Sequence, residues 1–241
     1  MDKLIKATLV DFMGTDKSVV NAARVTMGVV REGELNERDF KLIKFLAREK
    51  HVTPFRHPTV TFRCEAPIAI ARQLGKHQVG FSWNEMSRRY KDGDVSCFMP
   101  EKFFARPKDL HSGSGDEIPS TSDYFQKLSN IFEAAYDGAV SAYKGLLEAG
   151  LAPEQARFLL PQGMITEWVW TGSLYGWAEL YRQRSSNHAQ YEVRLFAEEI
   201  DKVLSELYPI SWKALKDADR TEDVQAVQKD STPDSVLPVK E

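Results

Sequence analysis

One segment of the sequence, residues 72–91, combines side chains that bind phosphate with side chains that stack on and hydrogen-bond to heterocyclic rings. Five lysines and arginines stand against one acid there, which gives a local charge of +4 in a chain whose net charge is -3. Arg72 and Lys76 are one helical turn apart, so both project from the same face. Guanidinium groups suit phosphate, amides suit base edges and aromatic rings suit stacking. The segment therefore predicts a site for a phosphorylated heterocyclic ligand.

A solvated basic turn explains the charge of this segment equally well when charge is considered alone. Phe81, Trp83 and Tyr90 stand between the charges, however, and a merely solvated face rarely needs such rings. The mixture of charged and aromatic residues thus favours the ligand site.

Three further clusters carry polar side chains that could either bind a ligand or connect two elements. Residues 51–58 form a polar loop stiffened by Pro54 and Pro58, which suits a binding loop and a plain connector alike. Arg157 is a charge among apolar residues, and such an arginine more often pairs or extends its head to solvent. Residues 182–190 form a polar junction between two predicted helices. We treat all three clusters as candidates for ligand contacts.

Several familiar chemistries lack their sequence signatures. The chain has no phosphate loop of the Walker type and no Gly-x-Gly-x-x-Gly motif after a strand. Its 5 histidines form no zinc pattern with each other or with the 2 cysteines, so we predict no metal site. No nucleophile elbow surrounds a serine. These patterns argue against a Rossmann cofactor domain and a zinc hydrolase.

The composition of the 241 residues is that of a globular chain. The hydrophobic share of 42% argues against wholesale disorder, and no apolar run reaches the roughly 18 residues of a membrane-spanning helix. A general binder of polyanions is usually basic, so the net charge of -3 disfavours nucleic acid as a partner. The two cysteines make no disulfide framework and fit a reducing compartment. We therefore expect a cytoplasmic protein with no nucleic-acid and no membrane partner.

The elements that must position these residues are short strands and long helices. Strand patterns cover residues 5–10, 59–65 and 164–170. Helix patterns cover residues 37–49, 67–77, 123–148 and 193–207, and a further helix follows Ser173. Asn36 and Ser173 are the predicted caps at helix starts, whereas Gly150 and Pro209 mark the ends of the third and fourth ranges. A mobile surface loop is predicted over residues 106–122. Because strands and helices do not alternate regularly, we predict an α+β fold: a mixed sheet packed with long helices, in one domain over residues 1–216 with a polar tail at 217–241.

The clusters, in this order, resemble the flavin-dependent thymidylate synthase family (ThyX) over residues 20–205. The matching pieces are Ala22-Ala23-Arg24-Val25-Thr26, His51-x-Thr53-Pro54-Phe55-x-His57, Arg72-Gln73 with the segment around His77, Asn84-Glu85-x-Ser87-x-Arg89-Tyr90, Ala156-Arg157, and Arg184 with His188-Ala189-Gln190. Any one of these pieces alone is weak evidence for the family, whereas the whole set in this order is specific to it. The resemblance implies an α+β homotetramer with active sites at subunit interfaces, and it implies that residues 1–216 are one catalytic domain. It also implies an enzyme that binds FAD, takes hydride from NADPH and moves the one-carbon unit of methylenetetrahydrofolate onto dUMP, giving dTMP.

The resemblance implies a role for each matching position. Arg184 matches the catalytic position, where a guanidinium stabilises the anion that forms as C5 of uracil becomes nucleophilic. The implied substrate-binding residues are Gln73, Lys76, Glu85, Ser87, Arg88, Arg89, Arg157 and Arg184. The implied cofactor-binding residues are His51, Thr53, Lys76, His77, Gln78, Glu85, Ser173, Tyr175 and Glu179.

The sequence departs from the family's pattern in the loop after Gly75. The family's Arg-His-Arg triplet appears here as Lys76-His77-Gln78, and the spacing from this triplet to Ser87 is one residue longer. Lysine lacks the planar fork of arginine and glutamine lacks its charge, so the flavin or folate contacts of this loop must differ. Three implied cofactor residues also differ from the Asn, Arg and Asn that relatives often use: Ser173, Tyr175 and Glu179. We interpret the chain as a divergent branch with a rebuilt flavin pocket.

Three alternatives stay open on the sequence alone. A deoxypyrimidine monophosphate hydroxymethylase would use water where the methylase uses hydride, and the altered triplet motivates it. A non-catalytic nucleotide- or flavin-binding module would keep the scaffold without turnover. A nucleic-acid binder has the charge of residues 72–91 in its favour. Ser87 as a covalent nucleophile is disfavoured, because no general base is evident beside it.

Overall fold

A computed structural model of the chain describes residues 4–91, 93–108 and 113–218. The strands are β1 (Lys6–Met13), β2 (Thr59–Pro67), β3 (Phe81–Glu85), β4 (Phe103–Phe104), β5 (Glu117–Ile118) and β6 (Ile165–Ser173). The helices are α1 (Asp16–Arg24), α2 (Glu37–Arg48), α3 (Ile68–Leu74), α4 (Asp123–Glu148), α5 (Pro153–Ala156), α6 (Leu174–Arg184), α7 (Tyr191–Leu207) and α8 (209–218). Three short 3-10 turns cover Val25–Met27, Thr53–Arg56 and Arg157–Leu159. These elements confirm the predicted α+β class.

Four strands form one sheet in the order β1-β2-β6-β3. All three neighbouring pairs are antiparallel, as is the separate pair of β4 and β5. The prediction of a mixed sheet is therefore wrong. An alternating pattern of apolar residues indicates which side chains of a strand are buried, but it carries no information on the direction of the neighbouring strand.

The register of the sheet sorts its side chains into two chemically different faces. The residue pairs on one face of β3 and β6 are Phe81–Gly172, Trp83–Trp170 and Glu85–Trp168. Trp168 and Trp170 are buried on this face, and Trp83 stacks on Trp168 with 4.4 Å between ring centroids. The opposite face carries the ion pair of Arg63 and Glu167, with charged atoms 2.8 Å apart. One face is therefore aromatic and the other polar.

Helices α6 and α7 pack on the aromatic face of the sheet. Trp177 of α6 meets Phe62 of β2 edge-on, with 5.0 Å between ring centroids. Phe196 of α7 stacks against Trp168 at 6.0 Å. Buried aromatic contacts of this kind stabilise both helices through apolar burial and ring geometry. They fix the position of Arg184, the last residue of α6.

Gly172 of β6 leaves room for the ring of Phe81. A β-carbon built at Gly172 would lie 2.2 Å from that ring, well inside contact distance. The ring also packs against Trp170 and Trp177, each with 4.8 Å between centroids. Phe81 therefore cannot move away from residue 172 without changing two aromatic contacts.

Replacing Gly172 by alanine is expected to lower the free energy of unfolding by about 1–3 kcal/mol, the usual cost of overpacking. Urea or thermal unfolding measures the change. Gly145→Ala is a matched control, because no described atom outside its chain neighbours and the backbone of its own helix lies within 4 Å of a β-carbon at that position. Equal destabilisation by the two substitutions would contradict the close packing described for residue 172.

The described chain divides into two compact units. The first contains the described residues up to 13 together with 59–203, including both sheets. The second contains residues 14–58 and 204–218, including α1, α2 and α8. The interpretation of residues 1–216 as one catalytic domain stays a prediction.

Side-chain caps define the helix ends of the second unit. Asn36 caps α2 as predicted, with its side chain accepting a hydrogen bond from the backbone N–H of Asp39. The Asp16 carboxylate accepts hydrogen bonds from the backbone N–H groups of Ile210 and Ser211 at 3.1 and 2.8 Å. Pro209 follows the end of α7 as predicted, but it also begins α8, because proline fits the first turn of a helix.

The remaining element predictions have mixed outcomes. Helix α4 is confirmed over Asp123–Glu148, and Gly150 after it has a φ of +86°. The helix predicted to reach residue 77 ends at Leu74, and the loop predicted over 106–122 contains β5. Residues 109–112 of that loop and 219–241 of the predicted tail lie outside the described residues. Within the described ranges, no helix has both the length and the apolarity that crossing a membrane requires.

Candidate active site

A cavity of about 550 Å³ lies between α3, the loop that follows it, β3 and β6. Three aromatic side chains form part of its wall: Phe81, Trp83 and Trp170. The charged and polar side chains along the wall are Arg72, Lys76, His77, Gln78 and Glu85. Four of the predicted site residues, Lys76, His77, Gln78 and Glu85, therefore share one cavity.

The loop between α3 and β3 places the Lys76-His77-Gln78 triplet at this cavity. Helix α3 ends at Leu74, and the N–H of His77 donates to its carbonyl at 3.0 Å. Gly80 has a φ of +78°, in the left-handed region that favours glycine. The chain turns there and enters β3. The triplet is thus held between a helix end and a strand start.

Arg184 and His77 form a direct hydrogen bond in the first unit. The Nε of Arg184 donates to Nε2 of His77 at 2.9 Å, and its Nη2 donates to the carbonyl of Gln73 at 3.4 Å. Because Nε2 accepts, the imidazole is neutral with its proton on Nδ1. Burial and the Arg184 charge lower the pKa of His77 to about 4. Both residues were predicted for the site, but their mutual contact was not.

The guanidinium of Arg184 is a fixed and partly dehydrated cation. Burial lowers the pKa of Arg184 from its ordinary value, yet an arginine remains charged in proteins. Its position at the carboxyl end of α6 also favours positive charge, because helix carbonyls point outward there. Two of its N–H groups are held by His77 and Gln73, and the remaining ones suit a ligand oxygen.

The free energy of unfolding is expected to depend on the titration of His77. Its pKa is about 4 in the folded chain and 6.5 ordinarily, so the unfolded chain binds more protons between these values. The contribution of His77 is complete above about pH 6.5 and is lost as the pH falls toward 4. Urea unfolding at several pH values should show a shallower acid loss for His77→Gln. Parallel profiles for the two proteins would contradict the assigned pKa.

Two other predicted arginines meet at Glu154. The Nε of Arg89 lies 3.3 Å from Oε2 of Glu154, and the Nε of Arg157 donates to the backbone carbonyl of the same residue at 3.2 Å. Ser87 is close to the first arginine, since its Oγ accepts a hydrogen bond from the N–H of Arg89 at 3.3 Å. Guanidinium groups and a hydroxyl are the types of group that suit a phosphate.

Arg88 has a different environment from its neighbour Arg89. It is only 7% exposed, and its Nη1 and Nη2 donate to the carbonyls of Gly93 and Asp94 at 3.0 and 2.9 Å. These bonds hold the loop that follows β3. The implied substrate contact of Arg88 stays a prediction.

Three of the implied cofactor residues lie at the start of α6 or within it. Ser173 is buried and caps the helix as predicted, because its Oγ accepts a hydrogen bond from the N–H of Gly176 at 3.1 Å. Tyr175 lies half-buried in the first turn. Glu179 pairs with Arg182 one turn later. The Ser173 hydroxyl therefore already has a structural partner.

Two implied flavin contacts, His51 and Thr53, belong to the second unit. The His51 ring packs against Phe45 with 5.8 Å between centroids, and Thr53 begins a 3-10 turn. Their roles stay predictions.

Sequence reasoning singled out Phe81 and Trp83 as rings of a ligand site, but it missed Trp170 and Thr166. Trp170 lines the cavity together with Trp83, and buried Thr166 donates a hydrogen bond to Glu85 at 2.7 Å. The alternation of Trp168 and Trp170 signalled a buried strand face, but only the pairing of β6 with β3 brings that face to Glu85.

Comparison with known proteins identifies the family. The family model described as thymidylate synthase complementing protein matches residues 8–210. The chain belongs to the flavin-dependent thymidylate synthase family. It is 34% identical over 206 residues to the flavin-dependent thymidylate synthase of Kosmotoga olearia, which covers 86% of this chain and 87% of that protein. Such family members are enzymes of the methyltransferase type.

Two further matches agree with membership of the flavin-dependent thymidylate synthase family. The enzyme of that name from Thermus thermophilus is 34% identical over 210 residues, covering 87% of this chain and 74% of that protein. A solved structure of the UMP/dUMP methylase PolB from Streptomyces cacaoi, bound with 5-Br dUMP, superposes with a TM-score of 0.78 at 28% identity. The superposition covers 87% of this chain and 94% of the PolB chain.

The cavity residues fit the flavin that gives the flavin-dependent thymidylate synthase family its name. The rings of Phe81, Trp83 and Trp170 suit a flat isoalloxazine, and Lys76 suits a phosphate. The buried indole N–H of Trp170 has no hydrogen-bond partner in the described part of the chain, and a ligand acceptor would satisfy it. Among the described residues, no group of three or more His, Cys, Asp or Glu side chains could hold a metal ion.

Proposed function

We propose that this protein converts dUMP to dTMP, with methylenetetrahydrofolate as carbon donor and with FAD, reduced by NADPH, as hydride source. The observation that carries the proposal is that neutral His77, which lines a cavity with aromatic walls, accepts a hydrogen bond from the guanidinium of Arg184. Membership of the flavin-dependent thymidylate synthase family supports it.

Methylation of uracil requires C5 to become nucleophilic, which moves negative charge toward O4 and N3. A fixed cation at that edge of the ring stabilises the charge without a proton transfer. Arg184 is such a cation, because the neutral imidazole of His77 and the carbonyl of Gln73 orient it. We assign to Arg184 the role of activating the ring.

Other residues of the chain bind the rest of the nucleotide in this proposal. Arg89, Arg157 and Ser87 form the phosphate site, since the two guanidinium groups meet at Glu154. The side-chain oxygen of Gln73 is buried and has no partner among the described residues. An imide N–H of uracil would satisfy that oxygen.

The cavity holds the cofactor in this proposal, and Glu85 at its wall contacts the nucleotide as well as the flavin. Bound FAD supplies hydride chemistry that no side chain can provide. Lys76 and Gln78 offer contacts to its polar groups, and Trp83 and Trp170 exclude water from the ring. Glutamine at position 78 contributes no charge, so Lys76 is the cation of this loop.

We also propose that the enzyme is a homotetramer whose active sites combine residues of neighbouring subunits. Three large apolar side chains that directly follow predicted site residues are highly exposed in the single chain: Val79 (86%), Tyr90 (82%) and Phe158 (81%). A second subunit would cover such side chains and close the site from water.

UMP is a second candidate substrate. The chain is similar to the UMP/dUMP methylase PolB, whose structures contain 5-Br dUMP and 5-Br UMP. The two nucleotides share the uracil and the phosphate on which the proposal depends. Parallel assays with dUMP and UMP decide between a deoxyribonucleotide-specific enzyme and a broader one.

The absorbance of the flavin tests the proposed function. We expect purified protein to bind FAD, and NADPH to bleach the flavin under anaerobic conditions. Adding dUMP and methylenetetrahydrofolate together should restore the oxidised spectrum, whereas either one alone should not. A protein that binds no flavin, or whose reduced flavin is not reoxidised when both substrates are added, would falsify the proposal.

A further inference from the structure

Thr166 of β6 is a buried polar residue that directly contacts the candidate active site. It is 2% exposed, and its Oγ1 donates a hydrogen bond to Oε1 of Glu85 at 2.7 Å. Glu85 lines the cavity and is itself exposed. One end of this hydrogen bond is therefore in the protein interior and the other is at the cavity wall.

The register of the sheet accounts for this contact. Glu85 is paired with Trp168 across the antiparallel strands, and Thr166 lies two residues before that tryptophan. Residues two apart on a strand share a face, so Thr166 is the diagonal neighbour of Glu85 on the aromatic face. The N–H of Met86 donates to the carbonyl of Glu167 at 2.9 Å, which fixes the backbone next to the carboxylate.

The hydrogen bond restricts the carboxylate of Glu85. A glutamate at the exposed end of a strand samples several rotamers, and ordering it has an entropic cost. Thr166 offers a single O–H donor, and that donor occupies Oε1. The second oxygen, Oε2, is then available to accept a hydrogen bond from a ligand in the cavity.

We propose that Thr166 is a positioning residue of the active site, which orients the Glu85 carboxylate toward the nucleotide. This inference rests on the proposed function, because it requires a pyrimidine nucleotide with donor groups beside Glu85. Thr166 does not touch the substrate and acts through Glu85.

Substitutions of equal size separate positioning from simple packing. Thr166→Val removes the hydroxyl and keeps the shape, and Thr166→Ser keeps the hydroxyl. Thr171→Val is the matched control: it lies on the same strand but on the opposite face, with its Oγ1 2.9 Å from Oγ1 of Thr61. Melting temperatures of all three variants establish that each one folds.

We expect Thr166→Val to lower kcat/KM for dUMP about tenfold, the usual effect of losing a hydrogen bond to a charged group. Thr166→Ser should stay close to the wild type, and so should Thr171→Val. In a Glu85→Ala background, Thr166→Val should have no further effect, because the residue acts through the missing carboxylate. The dissociation constant of dUMP, measured by calorimetry, should follow the same pattern.

Three outcomes would overturn the proposal, and they are distinguishable from each other. If Thr166→Val turns over and binds dUMP like the wild type, the positioning role fails while the proposed function stands. If Thr166→Val lowers kcat/KM by the same factor in the wild-type and the Glu85→Ala backgrounds, the role of Thr166 is structural. If the wild type neither binds nor converts dUMP or UMP, the proposed function fails and the positioning role fails with it.

Discussion

Replacing Arg184 by alanine is expected to lower kcat for dUMP methylation about a hundredfold, while dUMP binding changes little. The guanidinium stabilises charge that develops in the transition state, and removing one such group typically has an effect of this size. The structure supports a specific role because Arg184 is fixed by His77 at 2.9 Å and by the Gln73 carbonyl at 3.4 Å. Steady-state kinetics together with dUMP calorimetry measure the two quantities.

Two further variants control this prediction. Arg184→Lys should recover little activity, because an ammonium cannot form the planar contacts of a guanidinium. Arg63→Ala should be neutral, since Arg63 is an exposed arginine on the polar face of the sheet and pairs with Glu167. A loss of dUMP binding with unchanged kcat in Arg184→Ala would reassign this residue to ground-state binding.

Replacing Arg157 by alanine is expected to raise KM for dUMP at least about tenfold and to change kcat little. A phosphate contact is the same in the ground state and the transition state, so its loss affects binding and not the chemical step. A charge-assisted hydrogen bond to phosphate accounts for a change of this order. Arg89→Ala should act in the same direction, because both arginines meet at Glu154.

The nucleoside deoxyuridine provides the control for Arg157, since it has the base and sugar but no phosphate. Turnover of deoxyuridine should be equally poor in wild type and Arg157→Ala if the arginine binds phosphate. An Arg157→Ala variant with reduced kcat and unchanged KM would contradict the phosphate role.

Co-expression of Arg184→Ala with Arg157→Ala extends the same argument to the assembly. If each site takes these arginines from two different subunits, a share of the mixed sites contains both native arginines and activity returns. Activity that stays at the level of the separate variants would place both arginines in one subunit.

Local sequence signals predicted the long helices α2, α4 and α7 and the strands β2 and β6 well. Asn36 and the apolar period of residues 37–49 determine α2, and Gly150 marks the end of α4. The helix α1 was not predicted, although Thr15 caps it. Strand β3 was hidden because its residues look like part of a basic loop, and its hydrogen-bond partner is about 85 residues away in the sequence. The direction of the strand pairs is likewise a non-local property.

The residue types of the candidate site were visible in the sequence, but its contacts were not. Charge and aromatic content singled out residues 72–91, which contribute most of the cavity wall. The bond between His77 and Arg184 joins residues 107 positions apart, and Thr166 reaches Glu85 through strand pairing. Such contacts depend on tertiary packing, so residue spacing cannot reveal them.

The identity of the nucleotide product tests the proposed reaction most directly. The protein is incubated with FAD, NADPH, methylenetetrahydrofolate and dUMP, and the nucleotide is analysed by mass spectrometry. We predict dTMP, with a methyl group at C5, and no product when dUMP is the only addition. A hydroxymethyl nucleotide, heavier than dTMP by one oxygen, would contradict hydride delivery, and unchanged dUMP would contradict the methylation itself.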